Sequence, residues 1–104
     1  MTLKEVLEEQ IKSSQNDISF YEEQLKRLPK GTFHSIIING NRVNYLKDYD
    51  DRGKRVERTV DEEELEIVNR QLQMRNQIEQ WLHELKEEIE AAENTIHYIR
   101  KDNK

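Results

Sequence analysis

The stretch that decides the fold is residues 60–100, VDEEELEIVNRQLQMRNQIEQWLHELKEEIEAAENTIHYIR. It contains no Pro or Gly, and its apolar residues recur at steps of three, four and seven, the period of one helix face. The spacing predicts one long helix over residues 61–100, roughly 60 Å at about 1.5 Å per residue. The predicted apolar stripe is Val60, Ile67, Met74, Ile78, Trp81, Leu85, Ile89, Ala92, Ile96 and Ile99.

A second helix is predicted over residues 3–28. Thr2 and Glu5 form a T-x-x-E capping box, which is typical of a helix N-terminus. A heptad seam follows, with the polar Ser14 either as a weak point or as a position that fixes the helix register. The seam is Leu7, Ile11, Ser14, Ile18, Tyr21, Leu25 and Leu28. Pro29 and Gly31 end the helix.

A three-stranded β-meander is predicted over residues 32–60, because segments rich in β-branched and aromatic residues are separated by turn signals. Asn39-Gly40 is a strong hairpin signal, and Asp50–Gly53 marks a second turn. Two-residue loops at Asn39-Gly40 and Arg52-Gly53 place Ile36 opposite Val43 and Tyr49 opposite Val56. This register gathers one apolar face, formed by Ile36, Ile38, Val43, Tyr45, Tyr49, Val56 and Val60, with His34 opposite Tyr45.

Together these elements predict an α+β, mostly α fold: an antiparallel two-helix coiled coil with a three-stranded antiparallel β-meander inserted between the helices. We expect a single elongated domain over residues 1–104. Leu65, Val68 and Leu72 lie opposite the main stripe and are expected to seat the sheet. The shorter first helix leaves about 20 Å of the long helix, around Ile89 to Ile99, without an intrachain partner. A homodimer would cover it, with self-association residues Trp81, Leu85, Ile89, Ile96 and Ile99.

Composition narrows the possible functions. Hydrophobic residues make up 34% and charged residues 38%, against about 45–50% and about 25% in ordinary domains, which predicts a thin apolar core. With no Cys and no long apolar run, the chain is expected to be cytoplasmic, without disulfides, Cys-based metal sites or a membrane span. Glu79, His83 and Glu87 share one helix face, which we interpret as solvated rather than metal-binding. No catalytic motif is present, so we expect no enzyme activity and no cofactor.

Charge is distributed unevenly along the chain. Residues 30–60 carry 7 basic and 4 acidic side chains, whereas residues 61–104 carry 6 basic and 12 acidic ones. The basic residues of the meander are a candidate contact for a protein partner or for nucleic acid: Arg42, Lys47, Arg52, Lys54, Arg55 and Arg58. Interleaved tyrosines could stack bases, although nearby acidic residues neutralise more than half of the charge and the tyrosines are expected on the buried face.

The layout resembles small uncharacterised bacterial and phage proteins with a helix, an LP-x-G step, an aromatic strand, a Gly-Lys turn and a charged helix. The matching segments are Leu28-Pro29-Lys30-Gly31, Asn44-Tyr45-Leu46, Gly53-Lys54 and Val60-Asp61-Glu62-Glu63. Many of those proteins carry Cys and Gly-Pro between the strands, which this chain lacks. The resemblance implies a mobile-element setting and supplies no catalytic residue.

The sequence therefore favours a non-enzymatic protein–protein interaction module, a dimeric inhibitor or regulator that binds another protein. Its acidic helices could act as a nucleic-acid mimic. The alternative is a small nucleic-acid-binding regulator that uses the basic meander.

Overall fold

The computed structural model describes residues 1–102, with side-chain surroundings through residue 100. Two helices flank three strands in the chain, so the expected α+β, mostly helical class is confirmed. The elements are α1 (Leu3–Arg27), β1 (Thr32–Ile38), β2 (Asn41–Tyr49), β3 (Arg55–Val60) and α2 (Glu62–Asp102). They form two compact units: unit 1 joins Met1–Lys26 to α2 from Gln77 onward, and unit 2 is Arg27–Asn76.

Local signals set the ends of α1. Thr2 Oγ1 accepts the backbone N–H of Glu5 at 3.2 Å, which satisfies a donor that the first helical turn leaves unpaired. After α1, Gly31 has φ +123°, and a Cβ there would lie 2.5 Å from the carbonyl oxygen of Lys47. Only glycine fits this close approach of two backbones.

The first hairpin follows its turn residues. Asn39 and Gly40 have φ of 52° and 79°, the pair of left-handed residues that a type I′ turn requires. Ile38 pairs with Asn41, Ile36 lies opposite Val43, and His34 lies opposite Tyr45. The predicted register of β1 and β2 is confirmed.

The predicted register of β2 and β3 is wrong by one residue. Tyr49 pairs with Arg55, and Val56 lies opposite Asp48, because the connection is a five-residue loop rather than the two-residue turn expected at Arg52-Gly53. Asp50 holds this loop, and its Oδ1 accepts the backbone N–H of Arg52 at 2.9 Å and of Lys54 at 2.8 Å. A one-residue shift sends every side chain of a strand to the other face of the sheet.

In the observed register, Leu46 and Val60 lie on the same face of the sheet, and the core of unit 2 forms on that face. Leu46 and Val60 are buried with Val68 of α2, and Phe33 and Leu72 pack against them. The expectation that Val68 and Leu72 seat the sheet is confirmed. We call this face the inner face and the opposite one, with Ile36, Tyr45 and Tyr49, the outer face. The sheet order is β1-β2-β3, so β1 and β3 are its edges.

The buried seam of α2 departs from the predicted stripe. Ile67 is 58% exposed and Met74 is exposed, whereas Val68 and Leu82, which the stripe omits, are buried. Residues at strict steps of seven drift by about 20° per heptad around a straight helix. The first turns also bury the side that faces the sheet, so Ile67 and Met74 point elsewhere.

Unit 1 covers the end of α2 that was expected to lack a partner. The ring of Tyr21 lies 5.5 Å from that of Trp81, and Leu7 lines a groove with Ala92, so the two helical segments run in opposite directions. Ala92 and Ile96 are buried. The expectation that Ile89 to Ile99 has no cover within the chain is therefore wrong, because α1 begins beside the end of α2.

Candidate functional site

The outer face of the sheet carries apolar and aromatic side chains that the α2 core does not use. Ile36 and Ile38 are 43% and 49% exposed, and Tyr49 is 64% exposed. Val43 and Tyr45 lie between them on β2 and are half-buried. Isolated exposed apolar residues are ordinary on a protein surface, whereas several of them on one face make that face a candidate interaction site.

Tyr45 organises the polar part of this face. The ring of His34 stacks on it at 5.6 Å between centroids with an angle of 24° between planes. The Nζ of Lys47 lies 5.5 Å from the centre of the same ring, within range of a cation–π interaction. His34 and Tyr45 thus form a stacked aromatic pair with the Lys47 ammonium over the Tyr45 ring, beside the exposed aliphatic side chains of β1.

The structure does not bring the six predicted basic contact residues together. Lys47 and Arg55 lie on the outer face, Arg42 and Arg58 alternate onto the inner face, and Arg52 and Lys54 belong to the loop after β2. Arg55 Nη2 also forms an ion pair with Glu57 Oε1 at 3.0 Å. The set therefore divides into three pairs instead of forming one basic patch.

Sequence reasoning assigned Ile36, Ile38 and Tyr45 to a buried face, so it missed them as surface residues. The β1–β2 register that carries them was predicted correctly. The error came from β3, since Val56 and Val60 were counted on the same face. Leu46 and Phe33 could have indicated the buried face, because they are opposite each other and form a second apolar face of the hairpin.

An open groove of about 500 Å³ lies beside β1 on the inner side. Phe33 and Leu65 form its apolar lining, and polar side chains surround them. The remaining residues of the lining are Asn44, Glu62, Glu66 and Asn69. Ile37 lies on the same face of β1 and is 72% exposed, so the inner face is only partly covered near this edge.

The five predicted self-association residues lie on α2 within unit 1. Ile96 is buried, Leu85, Ile89 and Ile99 are half-buried, and Trp81 is 38% exposed with its ring against Tyr21. Four of the five are thus at least half covered within one chain. Self-association itself stays a prediction.

The solvent side of α2 carries local polar contacts. His83 Nε2 lies 2.8 Å from Glu87 Oε1, one helical turn away, and both side chains are exposed. Through residue 100, no group of three or more His, Asp or Glu side chains is arranged to hold a metal ion. Within the described residues, neither helix has a stretch that is both long and apolar enough to cross a bilayer.

Comparison with family models, with curated proteins and with solved structures finds no match to this chain.

Proposed function

We propose that the protein is a non-enzymatic protein-interaction module whose contact surface is the outer face of the sheet. The observation that supports this is the exposed group Ile36, Ile38 and Tyr49 on a face that the α2 core leaves open. Aromatic and aliphatic side chains on a rigid sheet lose little conformational freedom on binding, which favours a protein partner. The non-enzymatic part of the proposal rests on the absence of any catalytic motif in the sequence.

The test is capture of partners by the tagged full chain and by matched variants. Ile36→Asp places a charge within the exposed group of the outer face, and Phe20→Asp places one at a still more exposed apolar position on α1. Both variants should keep the circular dichroism of the wild type. We expect the bound proteins to be lost with Ile36→Asp and kept with Phe20→Asp. Equal loss or equal retention with both variants would contradict the outer face as the contact surface.

The proposal includes a regulatory effect on the partner in the mobile-element setting that the sequence resemblance implies. It also includes coiled-coil packing of the helical segments of unit 1, which the alternating steps of three and four between Ile78, Leu82, Leu85, Ile89, Ala92 and Ile96 support. The exposed acidic side chains of α2 are compatible with mimicry of a nucleic acid. These residues are Glu84, Glu87, Glu88, Glu90 and Glu93.

Nucleic-acid binding is the second candidate, and the position of Tyr45 and Tyr49 favours it. The sequence placed both tyrosines on a buried face, whereas they lie on the outer face with Lys47 and Arg55. Stacking of bases on aromatic side chains contributes about 1–3 kcal/mol per base. Against it, Glu57 pairs with Arg55 on the same face.

Single-stranded oligonucleotides at low and high salt separate the two candidates. Nucleic-acid binding should weaken steeply with salt, and Tyr49→Ala with Lys47→Gln should abolish it. Arg42→Gln is the matched control, because Arg42 lies on the inner face. If the wild type binds no oligonucleotide at low salt, this second candidate is excluded.

A further inference from the structure

Strand β1 is an open edge of the sheet. Among residues 1–102 it pairs with β2 alone, and its other side presents backbone N–H and C=O groups that could receive another strand. Natural edge strands are usually protected against such pairing by charged side chains, by Pro or by bulges.

The two edges of the sheet differ in this protection. Strand β3 carries Arg55, Glu57 and Arg58 in its six residues. Strand β1 reads TFHSIII and contains no Lys, Arg, Asp, Glu or Pro. Its three isoleucines are all exposed, and Ile37 is the most exposed of them. Of the two edge strands, β1 is the one without Lys, Arg, Asp or Glu, and its second half is a run of three isoleucines.

We propose that β1 pairs in antiparallel fashion with β1 of a second copy, about a two-fold axis at Ser35. Ser35 is the midpoint of the seven-residue strand, so this register alone pairs all seven residues. Direct cross-strand partners share a face of the sheet, which excludes every register displaced by one residue. The two sheets then form one continuous six-stranded sheet.

The Ser35-centred register matches apolar side chains on the inner face. Ile37 of one copy lies directly opposite Phe33 of the other, at about 4.5–5.5 Å between Cβ atoms. Phe33 lines the open groove beside Leu65, so the most exposed isoleucine of one copy stands beside this groove in the other. The pairing covers Ile37 and Phe33 in both copies.

Charge complementarity also favours a second copy. Arg42 is the cross-strand neighbour of Ile37, so in the paired sheet it lies two strands, about 10 Å, from Phe33 of the other copy. Glu62 and Glu66 line the groove beside Phe33, although Glu66 also pairs with Arg70. The paired sheet therefore brings an arginine of each copy toward the acidic groove of the other, in addition to the pocket that Arg42 lines with Asp61 and Glu62 of its own chain.

The test exploits the absence of cysteine from the chain. In the proposed register the Cα atoms of the two Ser35 residues are about 4.5–5.5 Å apart, which suits a disulfide. Ser35→Cys should therefore form a covalent dimer under mild oxidation at tens of micromolar. Thr32→Cys is the matched control, because Thr32 is exposed on the same strand but lies six residues, about 20 Å, from its symmetry mate.

Equal cross-linking of the two cysteine variants would show random collision and overturn the proposal. So would the absence of a cross-link in a Ser35→Cys protein that keeps the wild-type circular dichroism.

Sedimentation of chains without cysteine provides an independent measurement. The wild type should sediment at twice the 12.6 kDa chain mass, and Ile37→Lys should reduce the mass to that of a monomer. Ile67→Lys, at an exposed isoleucine of α2, should remain dimeric. A monomeric wild type, or a dimer that only Ile67→Lys dissociates, would overturn the pairing. Since the pairing uses the strand edge, its failure leaves the outer-face proposal standing.

Discussion

Asp50 and Lys54 are joined by two hydrogen bonds across the loop that connects β2 to β3. The backbone N–H of Asp50 donates to the carbonyl of Lys54 at 2.9 Å, and Asp50 Oδ1 accepts the backbone N–H of Lys54 at 2.8 Å. The same carboxylate oxygen accepts the N–H of Arg52. Backbone hydrogen bonds and the Asp50 carboxylate thus close the loop together, and the pair Tyr49–Arg55 follows directly from it.

Replacing Asp50 by Ala should destabilise unit 2 by about 1–2 kcal/mol, since two hydrogen bonds to a charged acceptor are lost. Asp51→Ala is the control, because the loop hydrogen bonds described above do not involve its side chain. Urea denaturation followed by circular dichroism measures both. If the two variants lose the same stability, net charge rather than the loop geometry is responsible.

Gly31→Ala should be more destabilising than Gly53→Ala. Both glycines have positive φ, but a Cβ at Gly31 meets the backbone oxygen of Lys47 at 2.5 Å, whereas nothing lies within 4 Å of a Cβ at Gly53. Strain from the backbone angle alone costs about 1–3 kcal/mol, and only Gly31→Ala adds a steric clash. Thermal unfolding should rank the variants in that order, and the reverse order would contradict the close approach.

Within unit 2, Arg75 connects α2 to Leu28 and Pro29, which follow α1. Its Nε donates to the carbonyl of Pro29 at 2.9 Å, and its Nη2 to the carbonyl of Leu28 at 3.3 Å. Arg75→Met keeps the aliphatic stem but should cost about 1–3 kcal/mol, because a charged donor is lost from part-buried carbonyls.

Arg70→Met is the matched control for Arg75→Met, since Arg70 forms an exposed ion pair with Glu66. Such pairs contribute about 0–1 kcal/mol. Chemical denaturation of both variants gives the comparison, and a larger loss for Arg70→Met would refute the role assigned to Arg75.

Ser14 is buried in α1. Its side chain is small, so a larger residue at this position would have to fit between the helical segments of unit 1. Ser14→Leu should destabilise by about 1–3 kcal/mol through overpacking. Ser14→Ala should change stability by less than about 0.5 kcal/mol, because alanine is similar in size and a better helix former. Ser13→Leu is the control for the change of residue type, because Ser13 is exposed. A more stable Ser14→Leu protein would show that the space around Ser14 can accept a leucine side chain.

Turn chemistry explains which parts of the fold could be predicted from the sequence. Asn39-Gly40 encodes its turn in backbone preference alone, so the register of β1 and β2 followed correctly. The second connection depends on side-chain hydrogen bonds of Asp50, and Arg52-Gly53 resembles a shorter turn. The resulting one-residue error in register assigned the side chains of β3 to the wrong face. The buried and exposed faces of the sheet were therefore also expected the wrong way round.

The buried seam of α2 was harder to predict because both of its sides are apolar in the first turns. Ile67 and Val68 are adjacent and similar in hydrophobicity, and only the position of the sheet buries Val68. In the candidate site, the residue types were predictable, including the basic side chains of the meander. Which side chains of β3 share a face with those of β2 was not, because it depends on the same loop.

Trp81 is the single tryptophan of the chain and belongs to unit 1, where it contacts Tyr21. Its fluorescence therefore reports the melting of unit 1, whereas amide hydrogen exchange in β1–β3 reports opening of unit 2. The molecule thus contains separate spectroscopic reporters for its two parts. Coincident transitions of the two signals would define one cooperative folding unit, and a meander substitution that shifts only the amide signal would be energetically confined to unit 2.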